Sequence, residues 1–313
     1  MSKMDHDFKR IFNGFFSVAI CFLLSVTYLA SLYIWNSPFR MDHPYSRDHP
    51  STIKKRFISV FFMLFVAPCF LYLGLDKTIL REVSFLEILG LKSNGLIQAI
   101  FMPLFLTMIL FLGPISMELY SGLSKLYTEE SYWLSNLTNL IWIRNHIVAP
   151  FSEEFTYRSC MLPLLLQSLP PITAVLVNPI FFGVGKTLNK TNAFYILIKF
   201  LAHFHHMQDK IKCGLDFNTA LKISCFQFIY TTIFGVYSAY IFYRTGHFIS
   251  IFVVHAFCNH MGFPDVVEVT TYSNDKKMVI CGLFVLGFIA WCLLLNPLTE
   301  PSWYFNSPTW YVV

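Results

Sequence analysis

The sequence predicts an all-α polytopic membrane protein of about eight transmembrane helices. Over 313 residues, hydrophobic types make up 55% and charged types only 13%, where soluble domains carry roughly 25% charged residues. Aromatic residues reach 18%, with 34 Phe and 16 Tyr, and mean hydropathy is +0.55. Apolar runs of about 20 residues, the length that spans a bilayer, recur along the chain. So few charges cannot cover a water-facing surface of this size. Disorder, a nucleic-acid module and a secreted disulfide scaffold are excluded on the same ground.

The first apolar run, residues 15–35, follows a short polar start and has no small-residue cleavage site after it. It reads as a retained helix rather than a removed signal peptide. Residues 1–56 thus form an N-terminal anchor helix and a loop. The five Lys and Arg within 40–56 place that loop in the cytoplasm and the N-terminus in the lumen. Further spans are expected at 57–75, 95–112, from 134 into the 150s, and at 220–243, 247–261 and 278–295. One more apolar stretch, 162–184, is interrupted by Pro163, Pro170 and Pro171. These runs make 57–297 the main membrane domain. Residues 298–313 are an aromatic tail whose Trp303, Tyr304, Trp310 and Tyr311 suit a membrane interface. The net charge of +5 is modest, and groups such as Lys54, Lys55 and Arg56 fit a site beside anionic headgroups of the lipid bilayer. The eight cysteines show no CxxC pair and read as small buried hydrophobes.

In an apolar bundle the residues that carry chemistry are the ionisable ones inside the spans, because burying them is costly unless they are paired. Glu153 and Glu154 lie ahead of Arg158, in a segment flanked by apolar residues on both sides. On a helix Glu154 and Arg158 are i,i+4 and can form an ion pair, while Glu153 points about 100° away and is free to face a cavity. One carboxylate is then held ionised, and the other is left in low dielectric for general-base work. A plain helix-end ion pair beside a solvated glutamate is the structural alternative. A second cluster holds His203, His205 and His206, with 203 and 206 on one helix face. In a third, His255 and Asn259 are i,i+4 within an apolar run and can offer two donors to one point. A glutamate base, a histidine that orients water and a His/Asn donor pair form a constellation suited to peptide hydrolysis. No HExxH is present. A zinc ion held by Glu and His is an alternative geometry. A transporter or scaffold with Glu153, His203 and His255 along a polar path is another.

At these residues the chain resembles the type II CAAX prenyl endopeptidases, membrane proteases marked by EExxxR, FxxxH and HxxxN/D motifs. Glu153, Glu154 and Arg158 supply the first motif, within a longer match from Arg144 to Pro163. His255 and Asn259 supply the third, within a match from Arg244 to Pro264. The likeness extends over roughly 55–295 and makes 57–297 a CAAX protease membrane domain. It implies an eight-helix enzyme of the endoplasmic reticulum with an intramembrane catalytic cavity open toward the cytosol. The implied activity is removal of the last three residues from farnesylated or geranylgeranylated CAAX proteins, such as Ras-like small GTPases. In the implied roles, Glu153 activates water with help from His203, and His255 and Asn259 form the oxyanion hole. Glu154 and Arg158 support the site. The implied chemistry is a glutamate-activated water with no cofactor and no metal.

The second motif is interrupted. FxxxH needs Phe four residues before His203, where Lys199 stands. Removing 185–201 joins Val184 to Ala202 and restores the motif with Phe182 as its Phe. Of those 17 residues, 13 are Lys, Asn, Phe, Ile, Leu or Tyr, as translated A+T-rich noncoding DNA would give. Gly185-Lys186 can also be encoded with a splice-donor pattern. The polar stretch 186–192 divides the region into apolar pieces too short to span. Residues 185–201 therefore read as a retained intron, with a lineage-specific loop as the alternative.

Overall fold

The computed structural model describes the backbone of residues 3–35, 48–185, 214 and 216–307, and side chains over 14–35, 48–181, 214 and 216–307. Every regular element among these residues is helical. Helices α1 (Lys3–Tyr33) and α2 (Pro50–Gly74) come first, followed by single turns at Ile79–Glu82 and Phe85–Ile88. Next come α3 (Leu96–Leu110), α4 (Leu112–Ser121) and α5 (Glu130–Thr138). Helix α6 runs over 140–166 and alternates between two windings, with π-helical stretches at Arg144–Val148 and Phe155–Met161. It is followed by α7 (Pro171–Gly185), α8 (Phe217–Thr245), α9 (Phe248–Met261) and α10 (Asn274–Leu298), then a 3₁₀ turn at Pro301–Tyr304. Local chemistry sets several of these starts. Pro50 opens α2, where its missing N–H costs nothing, and the Asp216 carboxylate accepts the Thr219 N–H at 3.0 Å to cap α8.

Four helical segments among the described residues are long and apolar enough to cross a membrane: 14–33 of α1, and all of α2, α8 and α10. The α3–α4 pair, bent by 76°, adds a fifth if it counts as one span. The outer faces of these helices carry large apolar side chains, including Phe61, Phe62 and Phe65 on α2 and Phe288, Ile289 and Leu293 on α10. Only 11% of the apolar window of α10 is buried. Hydrocarbon is the solvent that such a surface matches. Of the seven cysteines described, all are free; Cys21, Cys160 and Cys258 are buried and the other four lie on outer faces.

The expectation of about eight spans meets two physical limits. Helix α9 has 14 residues, about 21 Å of rise, against a hydrocarbon core of about 30 Å. In addition, the break expected near Pro163 is absent. Helix α6 runs through it, and the interruption falls at Pro170 and Pro171 instead. The π-helical turns of Phe155–Met161 end just before Pro163, and a widened turn absorbs the missing N–H and the ring that would break a regular helix.

Helix α6 is the hub. It packs against α1, α2, α7, α8 and α9, and residues 154–166 are buried without interruption. Outside this hub, α9 packs on α3, and α10 on α3 and α4. The tail is a clasp, which corrects the expectation of an interfacial Tyr304. That side chain is fully buried, and its hydroxyl donates to Leu298 O. The Asn306 amide donates to Tyr243 O and Arg244 O, 3.0 Å each, at the end of α8, and Lys92 Nζ donates to Phe305 O at 3.1 Å. Trp303 is exposed, and Trp310 and Tyr311 lie outside the described residues.

Beneath the clasp, in the turn from α8 to α9, His247 is fully buried with its Nε2–H donated to Tyr304 O at 3.3 Å. Burial first, and the nearby Lys92 second, push its pKa down to about 4. The unfolded chain, with an ordinary histidine, binds a proton that the folded chain refuses between about pH 6.5 and that value. His247 therefore contributes stability that is fully present above about pH 6.5 and is lost as pH falls toward about 4. Melting temperatures of the detergent-solubilised protein should fall over that window, and His247→Asn should flatten the fall. An unchanged slope in the variant would rule His247 out as its source.

Candidate active site

The deepest part of α6 carries the charges. Glu154 is completely buried and Arg158 nearly so. The i,i+4 pairing expected of them is formed, with Arg158 Nη1 donating to Glu154 Oε1 at 2.9 Å. An ion pair in this setting needs its remaining donors and acceptors met, and α8 and α9 meet all but the Arg158 Nε–H, which is buried without a partner. Ser238 Oγ donates to Glu154 Oε2 at 2.6 Å, Arg158 Nη2 to Gly235 O at 3.3 Å, and His255 Nδ1 to Glu154 Oε1 at 2.6 Å.

The close approach depends on a missing side chain. A Cβ on Gly235 would lie 2.8 Å from Pro179 Cβ and 3.1 Å from Arg158 Nη2. Asn178 on α7 donates to the Tyr157 carbonyl at 2.7 Å, within the π-helical segment. From below, the buried Tyr28 of α1 shares a 2.9 Å hydrogen bond with Ser152, the residue before Glu153.

Glu153 faces a cavity of about 400 Å³, within the range of small-ligand pockets. Its walls include Asn145 and Glu153 of α6, Tyr230 and Phe234 of α8, and His255 and Asn259 of α9. With Nδ1 committed to Glu154, the other ring nitrogen of His255 lies 4.0 Å from Glu153 Oε2. That distance is too long for a direct hydrogen bond, yet one water or substrate oxygen could touch both groups. The tertiary structure thus brings Glu153, Glu154, Arg158, His255 and Asn259 to one place.

The donors of the His/Asn pair are partly engaged by the protein itself. Asn259 Nδ2 donates to Asn145 O at 2.8 Å, so the His255 Nε2, the second Asn259 N–H and its Oδ1 remain for the cavity. The reason is the close packing of α9 on the start of α6. His203, with His205 and His206, lies outside the described residues. Phe182 is within α7, but its side chain lies outside the described ones. Among the described residues no group of three or more His, Cys, Asp or Glu is arranged to hold a metal ion.

Sequence reasoning missed Ser238, Gly235 and Tyr28. Gly235 and Ser238 carried a usable signal, small residues at i,i+3 in an apolar helix, which mark a face where another backbone comes close. Tyr28 carried none, because one tyrosine in an aromatic-rich span is not distinguishable from its neighbours.

Residues 135–261, which contain all the cavity-lining residues named above, match the family described as Type II CAAX prenyl endopeptidase Rce1-like. The chain is 36% identical to the CAAX prenyl protease 2 of Homo sapiens, over 93% of this chain and 84% of that protein. It is 32% identical to the CAAX prenyl protease 2 of Arabidopsis thaliana, over 73% and 74% of the two chains. For Saccharomyces cerevisiae the identity is 28%, over 84% and 85%. No solved structure gives a significant match. The ordered motifs and a likeness over 73–93% of the chain to animal, plant and fungal proteins identify the chain as a membrane protease of the CAAX prenyl protease 2 family.

Proposed function

We propose that the protein removes the C-terminal three residues from prenylated CAAX proteins, Ras-like small GTPases among them, by glutamate-activated water. In this reading the enzyme sits in the membrane of the endoplasmic reticulum with its cavity open to the cytosol. The observation that carries the mechanism is the 4.0 Å gap between Glu153 Oε2 and His255 Nε2 on one cavity wall. Glu153 takes a proton from a water in that gap, and the hydroxide attacks the carbonyl of the prenylated cysteine. Negative charge that develops on the carbonyl oxygen falls to the second Asn259 N–H and to His255, whose Nε2 donates in the ring form that carries both protons, and this placement costs no reorganisation at that moment. Glu153 then returns the proton to the departing amine. Glu154 and Arg158 hold His255 in place, and His203 assists the water, with Phe182 supplying the Phe of the uninterrupted FxxxH motif.

Segment 185–201 bears on this reading directly. We take the functional chain to join Val184 to Ala202, with 57–297 as the catalytic membrane domain and 1–56 and 298–313 as its anchor and tail. The test is release of the tripeptide from a farnesylated CAAX peptide by membranes that carry either form. The form lacking 185–201 is expected to cleave at least as fast as the full chain. Slower cleavage by it, or abundant tryptic peptides from within 185–201 in native membranes, would show the segment to be a working part of the protein.

A further inference from the structure

Asn145 lines the cavity; it lies within the longer match from Arg144 to Pro163 but in none of the three short motifs. It is half-buried in the π-helical stretch Arg144–Val148, at the start of α6. The orientation of its amide follows from chemistry alone. Arg144 Nε lies 3.0 Å from Asn145 Oδ1, and arginine has donors but no acceptor, so the amide must turn its oxygen to Arg144. The amino end, with two N–H donors, is left for the cavity. Arg144 is itself fixed by Asp48, at 2.8 Å. On its other side Asn145 is fixed by Asn259, which donates to its main-chain carbonyl at 2.8 Å. A donor held from both sides is a preorganised one.

Its position relative to the reaction centre is informative. Asn145, Ala149 and Glu153 are spaced by four along α6, share one face and all line the cavity. On α9, Asn259 touches Asn145 and His255 touches Glu154, so the two helices run antiparallel along this face. Eight residues of helix place Asn145 about 12 Å from Glu153 along the axis. A tripeptide in extended conformation covers about 10–11 Å. With the scissile carbonyl at Glu153 and His255, the end of a three-residue leaving segment reaches Asn145.

On the proposed endopeptidase reading, we infer that Asn145, oriented by Arg144, binds the free C-terminal carboxylate of the substrate and so measures the length of the segment removed. The amino end of Asn145 suits an acceptor such as a carboxylate oxygen, and Arg144 polarises the amide by holding its oxygen. Arg158 is the rival cation of the cavity. Its Nη1 is committed to the fully buried Glu154 and its Nη2 to Gly235 O, which leaves it matched in low dielectric.

The inference is tested with two farnesylated CAAX peptides, one ending in a free acid and one in a C-terminal amide. Both are assayed on the purified full-length chain and, in parallel, on the 185–201 deletion. The wild-type protein is expected to show a lower KM for the acid. Asn145→Asp replaces the donor by a like charge and should raise KM for the acid on the order of tenfold to a hundredfold, with kcat within a few-fold. For the amide peptide, whose NH₂ can donate to the new carboxylate, KM should hold or fall. Asn145→Ala should abolish the preference for acid over amide. Equal losses for both peptides, a loss confined to kcat, or a wild-type protein indifferent to acid and amide would each overturn the inference while leaving the endopeptidase reading intact. Cleavage of neither peptide by either wild-type form would overturn that reading, and the inference with it.

Discussion

Glu153→Gln is expected to abolish tripeptide release from a farnesylated CAAX peptide, with a drop of roughly a hundredfold to ten-thousandfold, the range for loss of a general base. The substitution keeps the shape of the side chain and removes only its ability to take a proton. Glu153 makes no ion pair within the described residues beyond its 4.0 Å approach to His255, so the fold should tolerate the change. The melting temperature is therefore expected to stay close to that of wild type while kcat collapses. Cleavage at near wild-type rates in the variant would remove Glu153 as the base. Collapse of both activity and melting temperature would instead give it a structural role.

Arg158→Met should behave in the opposite way and cost stability first. It leaves the completely buried Glu154 without its guanidinium partner, and breaking one side of a buried ion pair costs about 3–5 kcal/mol. His255 and Ser238, which both bond to Glu154, would lose a fixed anchor, so activity should fall together with the melting temperature. The double variant Glu154→Gln/Arg158→Met removes both charges and should regain much of the stability without regaining activity, because His255 still lacks its carboxylate. Double-mutant melting in detergent, with cleavage measured on the same preparations, separates the two effects. Additive losses in the double variant would mean that the pair is not coupled in the way its geometry implies.

These two residues show how legible the site was. The i,i+4 spacing of Glu154 and Arg158, and the rotation of Glu153 away from them, follow from helical geometry once the segment is read as a helix. The His255–Glu154 bond could not be read in this way. It joins residues 101 positions apart, and nothing in the spacing of either motif says which nitrogen of the ring faces which carboxylate. Pro163 misled for a local reason. Proline is a helix breaker in a regular α-helix, and whether a π-helical turn absorbs it depends on neighbours such as Asn178, which reach it only through the fold.

The membrane class, and which ionisable residues lie within apolar runs, were determined by the sequence alone. A chain with 13% charged residues has one solvent that suits it, and an ionisable group kept inside an apolar run must do something that offsets its burial. Which of those groups meet was decided by tertiary structure. Packing of α8 and α9 around the widened turns of α6 turned a list of polar residues into one fully bonded carboxylate, one facing a cavity, and a histidine between them. The physical reason is range. Periodicity and propensity act over a few residues, whereas desolvation and hydrogen-bond satisfaction of a buried charge are settled by whichever distant helices come to rest against it.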